Sequence, residues 1–147
     1  MPLILVLLTG AGAGGGVWWW SQKQQPAAAA DATGEAAKPT RQPAQYVPVE
    51  PSFVVNLADP DGNRYLQADV QVVTRDPATL AAIEAHLPSI RNRLLLLFGQ
   101  QESRQLAQRA GKERLQAAAR DEVRALLKAE GGPDKVEAVI FTSLVTQ

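Results

Sequence analysis

The side chains that could do chemistry in this 147-residue chain are few and scattered. His86 is the single histidine, and Glu84, the carboxylate nearest to it, would lie on another face of a helix. There is no cysteine, which excludes disulfides, thiolate nucleophiles and cysteine-bound zinc. None of the five serines lies in a nucleophile-elbow pattern. The sequence therefore predicts no enzyme, no catalytic residue, no metal ligand and no cofactor.

The charges of the chain are balanced, with 15 basic and 15 acidic residues. Residues 46–147 alone have 12 basic and 13 acidic residues, so no basic domain is hidden in the total. Basic residues are frequent between residues 104 and 128, but acidic residues interleave with them, which favours an ordinary solvated face. This pattern excludes nucleic acid as a partner.

The N-terminal stretch is apolar, since residues 3–20 contain no charge. As a helix they would be about 27 Å long, close to the roughly 30 Å of a bilayer's hydrocarbon core. Trp18, Trp19 and Trp20 fit an aromatic belt at the headgroups. Residues 1–20 are therefore predicted to form a transmembrane anchor, and the lack of Lys or Arg before the uncharged span at residues 3–20 suggests a natural start upstream of Met1. The alternative is a cleaved signal peptide, with small residues at 27–30 near the cleavage site.

Glycines recur within this apolar stretch at a spacing that lets helices approach closely. The alternative is that they are small filler residues. The candidate transmembrane packing residues are Gly10, Gly12, Gly14 and Gly16.

Residues 21–45 are rich in Ala, Gln and Pro and contain no large apolar residue. Such a segment buries too little surface to offset the entropy of ordering, so it is predicted to be a disordered linker. Residues 46–147 have the periodicities of a folded domain.

The domain begins with a predicted β-hairpin. Phe53, Val55 and Leu57 alternate on one face of the first strand, and residues 66–72 alternate in the same way on the second. Residues 59–63 between them are dense in turn-forming residues.

Two helical patterns follow. The first, over residues 80–97, comes after Asp76, a typical N-cap; Pro88 should kink or divide it and Gly99 should end it. The second ends at Gly131. Its apolar positions are Leu115, Ala119, Val123 and Leu126.

The stretch between the helices, residues 101–110, is polar and is predicted as a short helix or a loop. Residues 136–145 are rich in β-formers and supply a last strand. The predicted fold class is α+β, in the order β-β-α-α-β, with helices covering one side of a small, mainly antiparallel sheet.

Residues 94–98, Leu-Leu-Leu-Leu-Phe, are apolar around more than one face of their helix. A helix that is apolar all round is buried on more than one side. Arg91, Arg93, Leu95 and Leu96 are therefore candidate subunit-interface residues. The alternative for the two arginines is a solvated position with packed stems.

Six segments of the domain carry a further signal through their joint order and spacing. They are Tyr46-Val47-Pro48, Pro51-Ser52-Phe53-Val54-Val55-Asn56-Leu57, Arg64-Tyr65-Leu66, Leu87-Pro88-Ser89-Ile90-Arg91-Asn92, Gly111-Lys112-Glu113-Arg114-Leu115 and Val139-Ile140-Phe141-Thr142-Ser143-Leu144-Val145-Thr146-Gln147. Together with the apolar stretch and the linker, they resemble the flagellar basal body-associated FliL family along nearly the whole chain. The chain departs from that family in lacking a basic cytoplasmic stub before the span.

The resemblance implies a single-pass protein of the bacterial inner membrane with a periplasmic linker and a periplasmic C-terminal domain. It implies a domain similar to stomatin- and prohibitin-type domains, which assemble as homo-oligomeric rings. The implied partners are the flagellar basal body and the stator units, and the implied role is support of rotation, torque, swimming, swarming and switching in chemotaxis. The rival hypothesis is a secreted or membrane-tethered module that binds a small ligand.

Overall fold

A long central strand organises the fold, with the other strands along its two edges. The computed structural model describes residues 40–147, of which Arg41–Gln147 form one compact unit. The predicted anchor, its glycines and the linker up to residue 39 lie outside the described residues. In the part that is described, no helix is long and apolar enough to cross a membrane.

The elements are, in chain order, β1 (Gln45–Pro48), β2 (Phe53–Asn56), β3 (Tyr65–Thr74), α1 (Pro77–Ala85), α2 (Leu87–Gly99), α3 (Ser103–Leu106), α4 (Arg109–Ala129) and β4 (Val136–Thr146).

The sheet is antiparallel, and it confirms the predicted hairpin. Along one edge, β3 pairs with β1, which places Gln45 opposite Thr74. On the same edge β3 pairs with β2, which places Phe53 opposite Ala68. Along its other edge β3 pairs with β4. The turn between β2 and β3 contains Gly62, whose φ of 155° favours glycine.

Helices α2 and α4 contribute to the buried core that covers one face of the sheet. Phe98 of α2 lies at its centre, edge-on to the ring of Phe53 at 5.0 Å and to that of Phe141 at 5.8 Å. Such aromatic pairs contribute about 0.5–1.5 kcal/mol beyond the burial of their area. The alternating residues of β3 and the predicted apolar face of α4 are buried in the same core: Leu66, Ala68, Val70, Val72, Leu115, Ala119, Val123 and Leu126.

Of the two outcomes predicted for Pro88, a kink or a division, the structure shows a division of the first helical run. The Asp76 carboxylate caps α1 by accepting a hydrogen bond from the backbone N–H of Thr79 at 2.8 Å. His86 is both the C-cap of α1 and the N-cap of α2, which begins at Leu87. A proline in the first turn of α2 is tolerated because its missing N–H would have no partner within the helix. Gly99 is the last residue of α2, where the sequence predicts its end.

The α+β class with an antiparallel sheet is confirmed, but the predicted order β-β-α-α-β is incomplete. The structure adds β1 before the hairpin and divides the helical part into four pieces. Strand β1 has four residues, of which Val47 alone is buried, so it shows no alternation. Helix α3 is a single turn, which resolves the two alternatives for residues 101–110 in favour of a short helix.

Candidate assembly surface

The side chains of the apolar run at residues 94–98 lie on two sides of helix α2. Leu94 and Phe98, one turn apart, face the core and are fully buried. Leu95 and Leu96 project from the opposite side, where 39% and 57% of their surface is exposed. The run is therefore apolar on both faces, and its outer face is uncovered within residues 40–147.

Arg91 lies one turn before these leucines and is directed towards its own domain. Its guanidinium carbon stands 4.5 Å from the centre of the Phe53 ring, a cation–π arrangement. The same group donates hydrogen bonds to the carbonyl oxygens of Pro51 and Ser52. Arg91 thus holds the connection between β1 and β2 against α2, at the edge of the exposed leucines.

Arg93 bridges the two long helices. Its Nη1 donates to Glu122 of α4 at 3.1 Å, and both side chains remain substantially exposed. An exposed pair of this kind contributes at most about 1 kcal/mol to the free energy of unfolding. Arg93 therefore remains accessible to solvent while it joins α2 to α4.

The outer face of the sheet carries a second set of exposed apolar side chains. Val54, Gln67 and Val145 form one row across β2, β3 and β4, since Val54 and Val145 both lie opposite Gln67. Val54 and Val145 are 64% and 44% exposed. The alternation along the strands assigns these positions to the solvated side of the sheet. In the sequence, a valine at a strand position where the alternation predicts a polar residue would have indicated these exposed apolar side chains.

A groove of about 530 Å³ lies beside the connection between β1 and β2. Glu50, Ser52, Asp69 and Thr142 contribute its polar lining, and the Ser52 hydroxyl donates a hydrogen bond to the Asp69 carboxylate. His86, the single histidine, is not among the residues that line it. Among residues 40–147, no group of three or more His, Cys, Asp or Glu side chains is placed to hold a metal ion.

Among the residues that the structure describes, two side chains have clearly shifted pKa values, and both shifts follow from local contacts. Hydrogen bonds from the Thr79 side chain and backbone, with a further one from Lys135, hold the pKa of Asp76 below its ordinary value. The Glu113 carboxylate raises the pKa of Arg109. Both contacts belong to helix ends, and neither lies on the exposed face of α2.

The sequence of the folded domain matches a known protein family over its whole length. Residues 46–147 match the family described as "Flagellar basal body-associated protein FliL". The chain belongs to the FliL family. All six segments that carry the resemblance lie within the matched residues. Exposed leucines in α2 and the buried Phe53–Phe98 pair are therefore features of a FliL-family domain.

Individual relatives agree with the family match. The "Flagellar protein FliL" of Escherichia coli (strain K12) is 34% identical over 94 residues, which are 64% of this chain and 60% of the relative. The "Flagellar protein FliL" of Aquifex aeolicus (strain VF5) is 27% identical over 99 residues, which are 67% of this chain and 59% of the relative. The chain thus spans about 60% of the length of these curated relatives.

Proposed function

We propose that this FliL-family protein is a non-enzymatic accessory component of the flagellar motor, which associates with the basal body and its stator units. The observation that carries the proposal is the family match over the whole of residues 46–147. The curated relatives are named as flagellar proteins, which agrees with it. In this role the protein supports rotation, torque, swimming and swarming, and switching during chemotaxis.

The proposal includes a single-pass location in the inner membrane. The uncharged residues 3–20 and the three tryptophans that end them support a transmembrane anchor. The four glycines at positions 10, 12, 14 and 16 support close packing of such anchors within an assembly. The folded domain then lies in the periplasm, at the end of a linker.

The proposal also includes a homo-oligomeric ring, formed by a domain similar to stomatin- and prohibitin-type domains. Its subunit contact is assigned to the outer face of α2. The exposed leucines at 95 and 96 form the apolar centre of the contact, because interface centres are depleted in charge and rich in apolar groups. Arg93 lies at the rim, and Arg91 fixes the adjoining corner of the domain.

A deletion strain tests the proposed function. Loss of the protein should weaken the motor and leave flagellar assembly intact, because an accessory component without catalysis is not required to build the filament. Filament number per cell and swim-plate diameter are the two measurements. Normal filaments with smaller swim rings are expected. Cells without filaments would show instead that the protein acts in flagellar assembly or export.

A further inference from the structure

The described chain enters its folded domain beside a groove of about 450 Å³. Arg41 and Gln42, which precede β1, are among the residues that line it. Arg75, directly after β3, donates from Nη1 to the Gln42 carbonyl oxygen at 2.6 Å, and its Nε lies 3.0 Å from the Glu137 carboxylate. Arg75 thus holds the incoming chain against the start of β4. The groove, which we call the entry groove, lies where the linker joins the domain.

The charged lining of the entry groove is mainly basic. Four cations and two carboxylates line it: Arg41, Arg75, Arg124, Lys135, Asp76 and Glu137. Four positive charges minus two negative ones leave a net charge of +2. Residues 46–147 as a whole have 12 basic and 13 acidic residues. The basic excess is therefore local to this end of the domain.

Three of the four cations remain accessible to a ligand. Arg41 is exposed and forms no ion pair among residues 40–147. Arg124 stays 3.8 Å from Asp134, beyond hydrogen-bonding distance, and 46% of its side chain is exposed. Lys135 contacts Asp76 at 3.1 Å, but 72% of its side chain is exposed. These three side chains can therefore turn to an anion without breaking the fold.

Phosphate groups are the anions that this set of side chains fits. Arginine presents a planar fork of N–H donors that matches two phosphate oxygens, and lysine adds a compact positive charge. Residues 21–40 lead from the groove to a dense source of such groups, the surface of the membrane that holds the anchor. We propose that the entry groove docks on the anionic phospholipid headgroups of that membrane. The inference rests on the transmembrane anchor of the proposed function.

The linker permits this docking. Its twenty residues, as a coil, separate the membrane surface from Arg41 by about 25 Å on average. Because Arg41 itself lines the groove, the covalent chain keeps the groove closer to the membrane, on average, than the far end of the domain. Attraction between exposed charges falls off within about 8 Å at physiological ionic strength. Docking therefore occurs in the shorter conformations of the coil.

The number of accessible cations indicates reversible docking. One basic residue near an anionic membrane surface changes the docking equilibrium roughly fivefold. Three such residues together favour the docked state by roughly a hundredfold. The domain therefore alternates between a docked position and a raised one, and only the raised position leaves the entry groove free.

The absence of cysteine allows the full chain to carry a single fluorophore. Gln45→Cys places it on β1 opposite Thr74, the residue before Arg75 of the groove. Asn63→Cys places it in the exposed turn at the other end of β3. The labelled chain is inserted into nanodiscs of phosphatidylcholine, with or without an equal share of phosphatidylglycerol, and nitroxide lipids quench fluorophores at the headgroups.

Phosphatidylglycerol should raise the quenching at Gln45→Cys at least about fivefold and leave that at Asn63→Cys nearly unchanged. Equal quenching of Gln45→Cys in the two membranes would overturn the proposal. An equal rise at both positions would overturn it as well, because the domain would then approach the membrane without presenting the groove.

Charge variants test the groove itself. In the Gln45→Cys chain, Arg41→Gln with Arg124→Gln should remove most of the rise in quenching, since each substitution weakens docking roughly fivefold. Arg64→Gln with Arg104→Gln is the matched control, because it removes the same charge beside another groove, next to the start of β3. Circular dichroism shows that each variant is folded. Equal losses for the two double variants would refute the groove as the docking site.

Two further measurements separate the lipid from free phosphate and the groove from the anchor. Inorganic phosphate, compared with sodium chloride at matched ionic strength, should leave the quenching of Gln45→Cys unchanged. Displacement by phosphate would show a site for the free anion and would refute the assignment to lipid. Flotation with vesicles of phosphatidylcholine tests the anchor alone. A chain that does not float would refute the proposed anchor, and with it the docking that rests on it.

Discussion

At the scale of single residues, Gly111 shows how close packing can require a glycine. It lies in the first turn of α4, and only two residues separate α4 from the single turn of α3. A Cβ atom at this position would stand 1.8 Å from the carbonyl oxygen of Gln105 and 2.6 Å from its carbon. The neighbouring atoms belong to the backbone and cannot rotate aside. The close approach of α3 to α4 therefore requires glycine here.

Replacement of this glycine should be costly. Gly111→Ala must push α3 away from α4, and overpacking of this kind lowers the free energy of unfolding by about 1–3 kcal/mol. The measurement is urea unfolding followed by circular dichroism. Gly99→Ala is the matched control, since its nearest new contact would be an ordinary 3.8 Å to the Asn56 carbonyl oxygen. Equal unfolding midpoints for the two variants would contradict the steric argument.

The exposed leucines of α2 give a second prediction at this scale. Leu95→Asp or Leu96→Asp should dissociate the proposed oligomer and leave the domain folded, because a carboxylate buried without a partner in an interface costs on the order of 3–5 kcal/mol. Light scattering gives the mass, and circular dichroism gives the fold. Leu94→Asp should unfold the domain, since Leu94 is fully buried. If both outward substitutions also unfold it, residues 94–98 are plain core and there is no interface on this helix.

At the scale of elements, the start of α1 couples stability to pH. Asp76 accepts from the Thr79 N–H at 2.8 Å and from its hydroxyl at 2.7 Å, and Lys135 approaches at 3.1 Å. These contacts lower the pKa of Asp76 in the folded state. Its charge therefore adds stability that is fully present above the unfolded pKa, near 4, and is lost as the pH falls through the lower folded value.

The corresponding prediction compares Asp76→Asn with the natural chain. The variant should unfold at lower urea concentration at pH 7, because it loses the charged cap and the contact with Lys135. The difference in midpoint should shrink as the pH falls below the ordinary range of an aspartate and through the lower folded pKa, where the natural carboxylate becomes protonated. Asp61→Asn, in the exposed turn between β2 and β3, is the control. A difference that stays constant from pH 7 to pH 2 would contradict the coupling.

Elements with strong periodicity were predictable, and elements that depend on a partner were not. The β2–β3 hairpin, α2 and α4 follow from the spacing of their own apolar residues, and β4 follows from its richness in β-forming residues. Strand β1 exists because β3 offers it an edge, so its four residues contain too little pattern to identify it. The same holds for Arg91, whose place on the Phe53 ring depends on residues almost 40 positions away. Contacts that form only in the tertiary structure leave no local signal.

At the scale of the whole molecule, the proposed topology puts residues 46–147 outside the cytoplasm. A reporter that is active only in the periplasm, fused after Gln147, should be active. The matched fusion carries a reporter that is active only in the cytoplasm, and it should be silent at equal expression. The opposite result would reverse the orientation of the anchor and place the domain on the cytoplasmic side, away from a periplasmic ring.

In the proposed topology, the reach of the domain from the membrane is set by the segment between residue 20 and the first anchored residue of the fold. Arg75 Nη1 donates a hydrogen bond to the Gln42 carbonyl oxygen at 2.6 Å, which fixes the chain just before β1. The composition of residues 21–40 predicts a flexible coil. Twenty residues of coil place their ends about 25 Å apart on average, from roughly 5.5 Å times the square root of length. Full extension allows about 66 Å, at roughly 3.3 Å per residue.

If only this reach matters, sequence order within the linker is unimportant and length is decisive. Scrambling residues 22–40 at constant composition should leave swim-plate diameter unchanged. Deleting 12 of these residues leaves eight linker residues and reduces the average reach to about 16 Å by the same scaling. The shortened chain should hold the domain too close to the membrane to meet its partner, and swimming should fall towards that of the deletion strain. Both variants are compared at matched expression. A scrambled linker that abolishes motility would show that residues 22–40 contain a specific binding or ordering element.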